Sequence, residues 1–209
     1  MSWDRLSSSY DRVADAYERA FLDELDAKPF DREFLSGFAG IGQGVIADVG
    51  CGPGQVGGFL RDTGRQVLGA DLSPAMVALA AVRLDAAVVA DIRALPFADR
   101  CLGGVVAFYS LIHLPRHQLA GGLDEIRRVV RPGGSVLLSA HEGTGTIEQD
   151  EFLGEPVPFV ATLFTLDELE EAVRGSGLDI RRAERRAPYP TEHPTTRLYI
   201  EATRPLSPG

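Results

Sequence analysis

The stretch that most constrains this chain is Val45-Ile-Ala-Asp-Val-Gly-Cys-Gly-Pro-Gly-Gln-Val-Gly57. An apolar run, Val45 to Val49, breaks into four glycines within eight residues: Gly50, Gly52, Gly54 and Gly57. A continuous β-branched run closed by glycine predicts a strand buried on both faces, and hence a parallel sheet. The glycines let the backbone turn sharply and approach a ligand where any Cβ would collide. After the loop, Gly57 to Arg61 opens a helix whose first N–H groups point back at the turn and suit an anionic group. Strand, glycine loop and helix together predict a nucleotide site.

Two readings compete for it. Gly52-Pro-Gly-Gln-Val-Gly57 satisfies G-x-G-x-x-G, the dinucleotide fingerprint. Against that, Pro53 withholds an N–H from a loop that needs donors for a pyrophosphate. Asp48, at the strand's end, repels a pyrophosphate but suits a ligand carrying an ammonium group. The segment Asp48-Val-Gly-Cys-Gly-Pro-Gly54 resembles the first motif of the class I S-adenosylmethionine-dependent methyltransferases. The resemblance is to their small-molecule type, similar to the methyltransferases of ubiquinone and menaquinone biosynthesis, and runs from about Tyr10 to Thr203. It implies S-adenosyl-L-methionine as cofactor, S-adenosyl-L-homocysteine as product, and Asp48, Gly50, Cys51, Gly52 and Gly54 among the cofactor-binding residues. An NAD(P)-binding oxidoreductase stays open as one alternative. A non-catalytic S-adenosylmethionine-binding protein is another.

Length and charge narrow the class further. The 209 residues suffice for one α/β domain spanning 1–209 and are few for two. The formal charge is −9, and arginine outnumbers lysine by 20 to one. An acidic chain is repelled by polyphosphate, so nucleic acid is an unexpected partner and a small-molecule acceptor the expected one. Cys51 and Cys101 offer neither metal spacing nor a disulfide framework, which fits a reducing cytoplasm. Met1-Ser-Trp-Asp-Arg5 lacks the apolar core of a signal peptide and no run reaches membrane-spanning length, so a soluble, cytoplasmic protein is expected.

Along the chain, residues 8–27 read as a helix from Tyr10, Val13, Ala14, Tyr17, Phe21, Leu22 and Leu25 at i, i+3, i+4 spacing. A short helix around Phe30–Phe38 ends at Gly40, so residues 1–40 form an N-terminal helical cap. Strands are expected at Gly44–Val49, Gln66–Ala70, Ala86–Ala90, Gly103–Tyr109, Ser135–Ala140, Leu178–Glu184 and Arg197–Thr203. Helices are expected at Gly57–Asp62, Ala75–Ala81, His117–Val130 and Thr165–Ser176, with Arg131-Pro-Gly-Gly134 turning the chain after the third of these. Thr165 and Glu168 form a capping box. This alternation predicts a doubly wound, mostly parallel sheet. The link Ala187–Thr196, with three prolines, is too short for a parallel crossover and suits an antiparallel hairpin. The resemblance implies the rest of the fold class: a Rossmann-like three-layer α/β sandwich, strand order 3-2-1-4-5-7-6, strand 7 antiparallel. A frayed tail is expected at Pro205–Gly209.

Acidic residues recur at successive strand ends, where open α/β sheets bind ligands. Asp71 ends strand two, 17 residues past Gly54, and its two acceptor oxygens match vicinal ribose hydroxyls. Asp71-Leu-Ser-Pro-Ala-Met76 also reads as a helix start, with Ser73 capping and Pro74 at N1. In similar proteins Leu72 and Met76 line the adenine. Asp91 ends strand three, placed to accept from an exocyclic amine while the Ile92 N–H serves a ring nitrogen; alone, Asp91 also reads as a turn residue. Strand four brings Phe108, Tyr109, Ser110 and His113 to the same edge, where cofactor and acceptor should meet. Tyr10-Asp-Arg-Val-Ala-Asp-Ala-Tyr17 looks like the N-terminal segment that folds over the cofactor in small-molecule methyltransferases, which adds Tyr17 to the binding set; an ordinary amphipathic helix is the alternative.

Methyl transfer from a sulfonium needs chiefly alignment and exclusion of water, so neither a catalytic triad nor a metal is expected. For a hydroxyl acceptor a general base helps, with His113 the first candidate and His141, beside Glu142, the second. Either also reads as a structural histidine. The segment 141–164, with Phe152, Phe159 and Phe164 and interrupted by Pro156 and Pro158, is the expected substrate lid over a largely apolar pocket.

Overall fold

The computed structural model describes residues 2–41 and 44–206; the tail residues 207–209, within the expected frayed segment, lie outside the described residues. Seven strands form one sheet: β1 Ile46–Val49, β2 Val67–Asp71, β3 Ala86–Val89, β4 Leu102–Phe108, β5 Val130–His141, β8 Asp179–Arg186 and β9 Arg197–Thr203. Their order is β3-β2-β1-β4-β5-β9-β8. Counted among themselves, that is 3-2-1-4-5-7-6. β1 runs parallel to β2 and β4, β2 to β3, and β4 to β5. β9 runs antiparallel to both of its neighbours, β5 and β8.

Alternate residues of the central strands feed two separate cores. Ala47, Val49, Val105 and Leu138 pack with Leu123, Ile126, Leu169 and Val173 of helices α5 (Leu119–Val129) and α6 (Leu166–Gly175). Ile46, Val106 and Leu137 pack with residues of α2 (Pro29–Ala39), α3 (Gln55–Asp62) and α4 (Pro74–Ala80), including Phe38, Leu60 and Ala80. Both faces of the sheet are thus covered, which explains why β1 reads as an uninterrupted buried run. Removing each of the Val, Leu, Ile and Phe side chains among them from water contributes about 1.5–3 kcal/mol.

Helix ends follow local chemistry. Helix α1 spans Trp3–Phe21, beginning five residues before the expected 8–27 segment because Ser2 Oγ caps the Arg5 N–H. It also stops earlier, giving way to a 3-10 turn at Glu24–Ala27. Pro29, at N1 of α2, holds Lys28 out of the helical region (φ −122°, ψ 73°) and so separates the two helices. Ser73 caps α4 through the Met76 N–H, and Thr165 with Glu168 forms the expected capping box on α6. Arg131-Pro-Gly-Gly134 does not turn the chain: it lies within β5, where a register shift against β4 absorbs it. The segment 141–164 is not an open loop either. Thr146–Gln149 (β6) and Phe159–Thr162 (β7) pair antiparallel as a separate two-stranded sheet.

Candidate active site

The loop after β1 carries three glycines in the left-handed region, Gly50, Gly52 and Gly54 (φ +72°, +51° and +90°). Its amides are spent internally. Gly50 and Cys51 donate to the Ala70 carbonyl, Gly52 to Asp71 Oδ2 at 2.8 Å, and Gly54 to the Cys51 carbonyl. Pro53 has none to give. The loop therefore lacks the row of free N–H donors that a pyrophosphate requires.

What faces outward is a carboxylate. Asp71 accepts Gly52 N–H on one oxygen and Ser73 N–H on the other, leaving each with a further lone pair toward the cleft it lines. Burial pushes its pKa up, against the pull of those two amides. The cleft, counted together with its open mouth, has a volume of about 690 Å³. Its floor comes from the carboxyl ends of the strands: Gly50 and Gly52 after β1, Asp71, Leu72 and Met76 after β2, Ile92 after β3, and Phe108, Tyr109, Ser110 and His113 from β4 onward. Its roof is α1, through Trp3, Leu6, Ser7, Tyr10 and Tyr17. Three bonds fasten this roof to the start of α4: Ser7 Oγ donates to the Leu72 carbonyl, and Asp11 Oδ1 accepts from Ser73 Oγ at 2.5 Å and from the Ala75 N–H at 3.0 Å. The hydroxyl of Ser110, on the cleft wall, is buried without a hydrogen-bond partner.

Four residues expected at the cofactor stand outside that wall. Asp48 is buried behind the loop, with Oδ2 holding the Gly57 N–H at 2.8 Å. Burial pushes its pKa up to about 7, opposed by the Gly57 amide and helped by the nearby Asp71 charge. Cys51 points into the core beside Gly69. Gly54 packs on Ala80 as the left-handed N-cap of α3. Asp91 is engaged by Arg93, whose Nε and Nη2 reach it at 3.0 and 2.5 Å. Burial works against ionisation there, but these bonds outweigh it and hold the Asp91 carboxyl below its usual range. Arg93 in turn lies over the Trp3 ring at 4.1 Å. Trp3, Leu6 and Ser7 join this wall because α1 begins at Trp3, ahead of both the expected helix 8–27 and the Tyr10–Tyr17 segment.

A second cavity, about 1350 Å³ including its mouth, adjoins the first. Tyr10, Tyr17, Tyr109 and His113 line both. Its roof is the β6–β7 hairpin and the chain between, through Ile147, Phe152 and Phe159, so the lid covers the space without filling it. Tyr109 leaves β4 with φ +52°, a conformation uncommon for a bulky residue. Its hydroxyl lies 3.1 Å from that of Tyr199, which donates to Asp31 Oδ1.

Both nitrogens of His113 are engaged. Nδ1 lies 2.9 Å from the Val160 carbonyl and must carry the proton, so Nε2 accepts from the Tyr10 hydroxyl at 2.8 Å. Burial pushes its pKa down to about 4, despite the Val160 bond. His141 lines the second cavity with Nδ1 at 2.7 Å from Thr195 Oγ1, and burial, with the Arg197 charge adding, pushes it down to about 3. Glu142 does not assist it, because Arg185 holds that carboxylate at 2.6 Å.

A strand-end carboxylate, consumed loop amides and an adjoining second cavity describe a site for a cationic nucleoside and an acceptor. Residues 46–134 match the family described as the Methyltransferase domain. This stretch is similar to the class I S-adenosylmethionine-dependent methyltransferases. A malonyl-[acyl-carrier protein] O-methyltransferase from Pseudescherichia vulneris is 37% identical over 63% of this chain and 49% of its own. Methyltransferase GfsG from Streptomyces halstedii is 32% identical over 83% of this chain and 63% of its own. The chain spans about half the length of several curated relatives it matches. Its fold is that of the 1,6-didemethyltoxoflavin-N1-methyltransferase from Burkholderia thailandensis, solved with that molecule and S-adenosylhomocysteine: TM-score 0.74, 22% identity, 97% of this chain and 88% of the other covered. No helix among the described residues is long and apolar enough to cross a membrane.

Proposed function

We propose that this protein moves a methyl group from S-adenosylmethionine to oxygen, nitrogen or carbon of a small organic acceptor held in the second cavity. The observation that carries this reading is the wall of Tyr10, Tyr17, Tyr109 and His113 shared by the two cavities. The cofactor supplies an activated methyl on a sulfonium. Asp71 takes the ribose hydroxyls, while Leu72, Met76 and Ile92 enclose the adenine. Tyr17, Gly50, Gly52, Phe108, Tyr109 and the unpartnered Ser110 hydroxyl surround the methionine end. Asp48, Cys51 and Gly54 act from behind by shaping the loop, and Asp91 by fixing Arg93 and Trp3 at the rim. The spent loop amides argue against the NAD(P) alternative, and the space beneath the hairpin argues against a non-catalytic binding protein.

Within this site the chain aligns two molecules and excludes water. His113 lines the second cavity, and the Tyr10 hydroxyl occupies its accepting nitrogen, Nε2. A proton leaving the acceptor enters at the Tyr10 oxygen as Tyr10 passes its own to His113 Nε2. The two free cysteines among the described residues, Cys51 and Cys101, fit a cytoplasmic setting. Mass spectrometry of the purified protein tests the cofactor, and a thermal-shift comparison with NAD(P) tests the alternative. An acceptor screen that reports S-adenosylhomocysteine release then tests transfer. Stabilisation by NAD(P) and not by S-adenosylmethionine would refute the reading.

A further inference from the structure

The second cavity has four charged side chains in its wall: Glu24, Lys28, Glu192 and Arg197. Each is already paired. Lys28 Nζ lies 2.5 Å from Glu24 Oε2 and 3.1 Å from Glu192 Oε1. The other Glu24 oxygen accepts from Gln55 at 3.2 Å. Glu192 also takes two bonds from Arg186, at 2.8 and 3.0 Å, and one from the Tyr189 N–H, with Arg197 Nη2 at 3.7 Å. Arg197 Nη1 is bound to the His193 carbonyl and to Thr195. Behind this layer Arg186 pairs with Asp31 at 3.2 Å. The wall therefore holds two cations and two carboxylates, and the layer behind adds one of each.

These groups are also shielded from water. The side chains of Lys28, Glu192 and Arg197 are 13%, 5% and 4% exposed. An ion entering such a cavity must give up its own hydration and then pull a counter-charge out of an existing pair. A neutral molecule loses neither. The rest of the wall is mostly apolar and aromatic, with Phe21, Ile112, Ile147, Phe152 and Phe159, and its remaining polar groups include the neutral side chains of Gln149 and Thr191.

We infer that the second cavity selects an uncharged acceptor, an apolar or aromatic body carrying a neutral hydroxyl or amine, and discriminates against carboxylates and ammonium ions of the same shape. The inference rests on the methyltransferase reading and adds the charge class of the acceptor to it.

Three near-isosteric probes test it: benzyl alcohol, benzoate and benzylammonium, titrated by calorimetry into the S-adenosylhomocysteine-saturated protein at about pH 8, where free imidazoles are neutral. S-adenosylhomocysteine binding is read first. Its absence overturns the methyltransferase reading, and this inference with it; its presence makes the ranking of the probes a test of this inference alone. Benzyl alcohol is expected to bind at least about tenfold more tightly than either ion. An ion bound as tightly as the alcohol, or no probe bound at all, overturns the proposal. Two variants sharpen the result. Ala20, exposed on α1 and lining the cavity, becomes a plug in Ala20→Trp, which should abolish binding; persistent binding would place the probes elsewhere and overturn the assignment. Lys28→Met leaves Glu24 and Glu192 short of a cation and should tighten benzylammonium by about tenfold. An unchanged ranking in a folded Lys28→Met protein counts against charge balance as the selector, and if that variant does not fold the wild-type ranking decides.

Discussion

The Tyr10 hydroxyl lies 2.8 Å from Nε2 of His113, across 103 residues of sequence. Because the other nitrogen of the same ring holds the Val160 carbonyl, one imidazole ties the helix over the cofactor cleft to the hairpin over the second cavity. Its pKa, pushed down from 6.5 to about 4, keeps it neutral and able to accept a proton at ordinary pH. If turnover uses this route, its acid limb should centre near pH 4, far below that of a solvated histidine. His113→Gln should remove the limb and Tyr10→Phe should lower turnover, because the relay has lost its entry atom. A pH–rate profile of His113→Gln superimposable on wild type would make the histidine a wall of the pocket only.

Stability should respond to pH through two opposed groups. His113 binds a proton more weakly in the folded state, so its contribution is complete above about pH 6.5 and is lost as pH falls toward 4. Asp48, raised from 3.8 to about 7, binds one more tightly when folded, so its contribution is complete at low pH and is lost as pH rises through 7. Urea titrations should show His113→Gln removing a rise in stability between about pH 4 and 6.5, and Asp48→Asn removing a fall between about pH 4 and 7. Parallel stability curves for wild type and both variants would contradict this account.

The glycines of the loop should separate binding from folding. At Gly52 a Cβ would meet only Tyr17 and Gln55, at 3.7 Å, but the left-handed φ costs a side chain about 1–2 kcal/mol. Gly52→Val should therefore leave a weakened sheet intact while its side chain, in the cleft wall, abolishes S-adenosylhomocysteine binding. Gly50 differs, because a Cβ there would lie 2.2 Å from that of Ser110. Gly50→Ala should compromise the fold itself. Calorimetry and circular dichroism on the two variants decide the matter, and equal cofactor affinity in a folded Gly52→Val protein would remove the loop from the binding site.

Asp71→Ala should weaken the cofactor by about 1.5–3 kcal/mol, the scale of hydrogen bonds to a charged group. Part of that loss will come from the Gly52 and Ser73 amides, which lose their acceptor. Asp71→Asn, which keeps one acceptor oxygen, should fall between. Wild-type affinity in the alanine variant would leave Asp71 a purely structural brace.

The sheet and much of the cleft were legible in the sequence. The strand ends that place Gly50, Asp71 and Ile92 follow from apolar runs closed by glycine or aspartate, a local signal. What failed to show was decided by pairings, local and long-range, that residue spacing does not reveal. Asp91 has the position of a ligand residue, yet Arg93, two residues on, takes its carboxylate. His113 reads as a free base until Tyr10 and Val160 claim its nitrogens. The β6–β7 hairpin escaped because Thr146–Gln149 carries a single apolar residue, Ile147, and nine residues with two prolines separate it from Phe159–Thr162. Arg131-Pro-Gly-Gly134 reads as a turn, but β5 accommodates it through an irregular register with β4.

The roof over the two cavities is built from contacts between distant parts of the chain, Tyr10 with His113 and Phe152, and Asp11 with Ser73. Such contacts pay a large loop-closure cost and are made once the sheet has already brought its strand ends together. The cofactor site is accordingly among the last parts of the molecule to assemble. A ligand that recognises only the completed roof acts after the folding barrier, so S-adenosylhomocysteine should slow unfolding while leaving the rate of refolding from denaturant unchanged. In a cell, the cofactor would then prolong the life of finished molecules without helping new ones to form.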